Sequence, residues 1–345
     1  MFDMTAKCPL TLLSILFYAL LGSCSSEVPP SLSKDDNFTE LLAIARNSTE
    51  NSAMRFIALE PIIVRARDAG EIAWLNRYLG DFLNSYPEDP YGAYYLTAMA
   101  EGALESESKE LALDYLRRLL KNYPDLEIGD KSIHLLAMDE IARQTDNPRE
   151  AILMRMRMGQ RYPNRIDLGS NYFAMAGEHR KLGDWEAMYQ AYKNFLKHTN
   201  TAIPGNSAAA KRIEADLAFH KSDKTWTMEN LDNLVAAIKH GLRTQNGALL
   251  RRYQAIDFFL MNWSQETSDS FTHIPMTLES FLTSTISYRN EFEEFSSSNE
   301  AYLWTTGWTW RIPTWYLYFR RIDYPPDPEI NGRWEWAGIY FGERI

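Results

Sequence analysis

Few residues in this chain stand at spacings that would support chemistry. The six histidines, His134, His179, His198, His220, His240 and His273, show no ligand spacing, whereas a zinc site needs a close-set group of His or Cys ligands. No His-Glu-x-x-His, Gly-x-Ser-x-Gly or glycine-rich phosphate loop occurs. Ser31-Leu32-Ser33-Lys34 has the spacing of a lysine-activated serine, but it lies in a polar spacer without companion motifs. Glu178-His179 allows a pH-sensitive contact on a helix, and a capping or surface role explains the pair as well. The sequence therefore predicts no catalytic residue, metal or cofactor. The remaining reactive groups are two thiols, Cys8 and Cys24.

Their setting is an export signal spanning residues 1–23. A short polar stretch containing Asp3 and Lys7 precedes an apolar run from Cys8 to Leu21. That run is shorter than the about 20 residues a bilayer core requires, and its length suits the apolar segment of a signal peptide. It ends in Leu21-Gly22-Ser23-Cys24, which resembles the lipobox of bacterial lipoproteins; Asp3 departs from the usual basic leader. The resemblance implies cleavage before Cys24, acyl chains such as palmitate on Cys24, and a protein held by its lipid in the bacterial cell envelope. Ser25 after the Cys implies the outer membrane where two membranes exist. The alternative is ordinary secretion. With Cys24 lipidated no disulfide can form, so the core alone must hold the fold. A formal charge of −10 argues against a nucleic-acid partner.

The elements that follow repeat. Residues 24–35, with Pro29-Pro30, read as a flexible tether. Beyond them, Asn84-Ser85-Tyr86-Pro87, Lys121-Asn122-Tyr123-Pro124 and Gln160-Arg161-Tyr162-Pro163 recur at spacings of 37 and 39 residues, and Lys197-His198-Thr199-Asn200 follows 37 later. Each ending closes a helix, because proline cannot donate the next backbone hydrogen bond. Small residues at matched offsets, Ala112, Ala151 and Ala187, suit close helix crossings. The pattern resembles the tetratricopeptide repeat, with Gly183-Asp184-Trp185-Glu186-Ala187 the nearest match and period and Tyr-Pro endings departing from it. A generic array of helical hairpins is the alternative. The resemblance implies a superhelical array of antiparallel helix pairs over residues 36–206. It also implies a groove lined by the first helix of each pair, here Tyr94, Thr97, Glu101, Glu140, Arg143, Phe173 and Arg180. Such a groove takes another envelope protein or an extended peptide.

Residues 207–300 are expected to supply further capping helices: Thr227–Leu242, with Leu231, Leu234, Val235, Ile238 and Leu242 on one stripe; Ala248–Trp263; and another from Pro275. Residues 301–345 hold six of the ten tryptophans and read as a small aromatic-rich β or mixed appendage, with Asn331-Gly332 turning into a strand over Arg333–Phe341. Trp308, Trp310 and Trp315 could form a stacking platform for sugars, or a local core. The fold class expected is thus all-α with that appendage. The function expected is a membrane-anchored scaffold or adaptor, with a glycan or ligand receptor using the tryptophan-rich end as the alternative.

Overall fold

The computed structural model describes residues 28–33, 36–47, 51–263 and 278–344. They form two compact units that divide between Leu182 and Gly183, and not near residue 206. The expected signal segment and Cys24 lie outside the described residues.

The first unit is helical: α1 (Pro30–Ser33), α2 (Asp36–Arg46), α3 (Ser52–Asp68), α4 (Ile72–Ser85), α5 (Gly92–Glu105), α6 (Lys109–Asn122), α7 (Ile133–Gln144), α8 (Pro148–Arg161) and α9 (Leu168–Lys181). Local chemistry sets the boundaries. Asn51, Ser132, Asn147 and Asp167 cap α3, α7, α8 and α9 by accepting backbone N–H bonds with their side chains. Tyr86, Tyr123 and Tyr162 end α4, α6 and α8, each donating its N–H to the carbonyl four residues back before the proline stops the helix. Successive helices pack on one another, most extensively α2 on α3, α5 on α6 and α7 on α8. Gly70 at φ +73° makes the turn between α3 and α4, a conformation that glycine adopts without strain. Gly92 opens α5 against the Tyr123 ring, where a Cβ would lie 2.1 Å from a ring carbon. Leu59, Leu75, Leu79, Leu96, Leu113 and Leu119 make up the fully buried centre, and Ala112 and Ala151 are buried.

Two features differ from expectation. The described end of the supposed tether is ordered: Leu32 is buried, and the Ser31 hydroxyl donates to Glu71 at 2.5 Å. Val28 and Leu32 supply apolar surface that a spacer lacks. A two-residue hairpin, β1 (Glu127–Ile128) and β2 (Lys131–Ser132), also stands between α6 and α7, in the connection that the 39-residue spacing lengthens.

The second unit joins α10 (Trp185–Phe195), α11 (Ala209–Lys221), α12 (Leu231–Arg243) and α13 (Gly247–Arg252) to a mixed sheet. Its strands are β3 (Gln254–Asn262), β4 (Ser287–Tyr288), β5 (Glu300–Thr306), β6 (Trp315–Arg321) and β7 (Trp334–Phe341), in the order β3-β7-β6-β5-β4. Only β3 and β7 pair in parallel. The stripe of α12 packs against the sheet face carrying Leu303, Leu317, Phe319, Trp336 and Ile339. Tyr302, Tyr316, Tyr318 and Tyr340 lie on the opposite face with Met261 and Trp263. That alternation is the period of two expected of strands.

The expected packed helices and mixed C-terminal sheet are both present, and the sheet is larger than the appendage expected over residues 301–345. The helix expected over Ala248–Trp263 stops at Arg252, and the rest of the segment is the edge strand β3. An unbroken apolar run reads alike as buried helix and buried strand, and the free edge of β7 decides it. Leu278–Phe281 forms one 3₁₀ turn, not a longer helix reaching Ile286. The nearest repeat match, at Trp185, begins the second unit, so the fourth expected pair is divided between units. Ala187 there is half-buried.

Candidate functional site

An opening of the first unit lies where α3, α5 and α7 meet the hairpin. Phe56 of α3 stacks on Tyr91 at 4.2 Å and meets Tyr94 edge-on at 5.3 Å. Further along, the Arg67 guanidinium bridges Glu101 and Glu105 of α5. Between these contacts a cavity of about 330 Å³ opens. From α3 it is lined by Ile63, Val64, Arg67 and Asp68, and from α5 by Tyr94, Thr97, Ala98 and Glu101. Ile128 and Lys131 of the hairpin, with Ile133 and Leu136 of α7, close the other side. Val64 is 49% and Leu136 44% exposed, so the walls offer unburied apolar surface to a ligand.

Three of the seven groove residues expected from the repeat pattern therefore meet in one place. Tyr94, Thr97 and Glu101 share a face of α5 because they stand three and seven residues apart on a 3.6-residue period. The Thr97 hydroxyl donates back to the Ala93 carbonyl at 3.0 Å. Burial pushes the Tyr94 phenol above its ordinary range, and the nearby Glu60 and Glu101 carboxylates add to it. The other four do not line the cavity. Glu140 and Arg143 lie about one and two turns beyond Leu136 on α7, where Arg143 pairs with Asp139 at 3.2 Å and with Glu140 at 2.5 Å. Phe173 is half-buried and Arg180 exposed, both on α9. Sequence reasoning missed α3 and the hairpin. The available signal was that α3 carries apolar residues on two faces: Leu59, Ile62 and Ala66 are buried, while Ile57 and Val64 are exposed.

The aromatic platform does not form. Trp308 and Trp315 are 2% and 3% exposed and stack on each other at 5.7 Å. Their indole N–H groups donate to the Thr305 hydroxyl at 2.7 Å and the Ile312 carbonyl at 2.8 Å. Trp310 is 87% exposed, with the Arg311 guanidinium 4.7 Å above its ring. Of the three expected rings, one faces solvent and two are core.

Two polar clusters have the composition of active sites without the geometry. Asp125 accepts from the Tyr162 hydroxyl (2.5 Å), the Ser132 hydroxyl (2.8 Å) and the His134 N–H (2.9 Å). Burial opposes its ionisation, but those hydrogen bonds outweigh it and hold the carboxyl below the usual range. The His134 imidazole faces the Tyr123 carbonyl at 3.0 Å, and no serine–histidine relay exists; the cluster latches the start of α7. In the second unit Arg320 joins Glu335 (2.7 Å) and Asp257 (2.7 Å), and Glu335 also accepts from the Trp226 indole at 2.7 Å. These bonds satisfy a buried charge within the sheet.

No group of His, Cys, Asp and Glu suited to a metal occurs among the described residues, and no helix among them is long and apolar enough to cross a membrane. Comparison with protein-family models, curated proteins and solved structures finds no match.

Proposed function

We propose that this protein is an interaction module whose helical unit holds a segment of a partner protein in the cavity between α3, α5 and α7, while a lipid on Cys24 keeps it at a membrane of the bacterial envelope. The observation that carries the reading is the cavity itself, with exposed Val64 and Leu136 beside Tyr94. Apolar walls with a few placed polar groups are the usual make-up of a recognition site, and grooves between helices commonly take an apolar stripe from a peptide or helix. The three helix pairs closed by Tyr-Pro support a tetratricopeptide-like stacking, in which first helices line one side.

A photo-crosslinking residue placed at Leu136 should capture a partner in intact cells. The same residue at Met156, exposed on α8, should not, and Val64→Glu should abolish the Leu136 product. Equal capture at both positions would remove the assignment. For the anchor, Cys24→Ala should eliminate acyl labelling; labelling that persists places the lipid elsewhere.

A further inference from the structure

The charges around the cavity differ from one side to the other, and this points to the chemistry of the occupant. Asp68 lines the cavity and has no ion pair among the described residues. Glu101 must share the single Arg67 guanidinium with Glu105. Glu60, also without an ion pair among the described residues, is close enough to act on the Tyr94 phenol. The lining itself carries two carboxylates, Asp68 and Glu101, and two cations, Arg67 and Lys131; Arg67 is engaged by Glu101 and Glu105, which leaves Asp68 on the α3 side without an ion pair. The floor and walls are aliphatic: Ile63 and Ile133 are buried, and Val64 and Leu136 are partly open.

Resting on the groove reading, we infer that the cavity takes a peptide segment in which a large aliphatic side chain lies beside a lysine or arginine. The aliphatic group fills the space between Val64 and Leu136, and the cation meets Asp68 and Glu60 of α3, which have no ion pair among the described residues. Lys131 marks the hairpin side as one where a second cation would be repelled. The hairpin holds that lysine in place: Arg165 donates to Glu127 at 2.6 Å and to the Asp130 carbonyl, so Lys131 is presented by a fixed wall. Complementary charge of this kind decides between partners more than it adds raw affinity.

The test uses the full chain and three labelled peptides of one length in a neutral alanine–glutamine host, read by fluorescence anisotropy. One carries a Leu-Lys pair, one Leu-Glu, and one Ala-Lys. The Leu-Lys peptide should bind about tenfold more tightly than Leu-Glu, the change expected when one contact between charges switches sign near the surface. This preference should shrink as salt rises. Asp68→Asn combined with Glu60→Gln should reduce the preference, and Lys131→Glu should enlarge it. Equal binding of Leu-Lys and Leu-Glu overturns the charge selection while leaving the groove reading intact. A preference unchanged in the Asp68→Asn/Glu60→Gln chain overturns it too. Binding of Ala-Lys equal to Leu-Lys removes the aliphatic anchor. Failure of all three peptides to bind, together with no crosslink at Leu136, overturns both proposals.

Discussion

The two units use their large apolar residues in opposite ways. The sheet unit has the residues that look made for binding, yet Trp308, Trp315, Trp334 and Trp336 are buried in it and only Trp310 stands clear. The helical unit has a more ordinary composition, yet leaves Ile57, Val64 and Leu136 exposed and builds its cavity with two of them. A sheet buries both faces when its strands are aromatic throughout, because each ring covers its cross-strand neighbour. Paired helices have only one buried stripe each, and the outward face of the first helix stays available. Richness in tryptophan is thus a poor guide to where a protein binds; apolar residues on a face that packing does not need are a better one.

The largest test of this contrast compares two tryptophans. Trp336 is fully buried between α12 and the sheet, and Trp336→Ala should cost about 3–5 kcal/mol in chemical denaturation. Trp310→Ala should change stability by no more than about 0.5 kcal/mol. Similar losses for both would mean that the aromatic end is not divided into core and surface in this way.

A smaller effect should separate the helix crossings. Ala151→Leu, at a buried position of α8, should overpack its crossing and cost about 1–3 kcal/mol. Ala187→Leu, half-buried on α10, should cost clearly less in the same measurement. A silent Ala151→Leu would show that the packing of α8 is loose.

The least effect is expected from acid on the latch of α7. The Asp125 carboxyl holds its proton less readily folded than unfolded. Its stabilising contribution is therefore complete above the ordinary carboxylate range and is lost as pH falls through the lowered folded value. The protection of the Leu135 N–H, which Ser132 caps at 3.0 Å, should fall on acidification once exchange rates are corrected for the slower intrinsic exchange in acid, and Asp125→Asn should flatten that dependence. An unchanged pH profile in the variant would assign the acid response to other carboxylates.

Much of the helical unit was legible because its signals are local. Tyr-Pro endings stop helices by removing a donor, Asn and Asp caps start them, and the spacing of Tyr94, Thr97 and Glu101 sets a shared face. These act within one or two turns and need no distant partner. Where the apolar pattern was continuous, from Ala255 to Trp263, no local signal chose between helix and strand; the parallel edge of β7, over seventy residues later in the chain, made the choice. The same holds for the cavity. Its α5 wall was implied by the tetratricopeptide resemblance, but Val64, Lys131 and Leu136 come from separate elements, and only packing brings their faces together. Trp308 and Trp310 are two residues apart and identical in type, yet one is core and one is solvent-facing. That difference is decided by the stack on Trp315 and the bond to Thr305, contacts that exist only once the strands have paired.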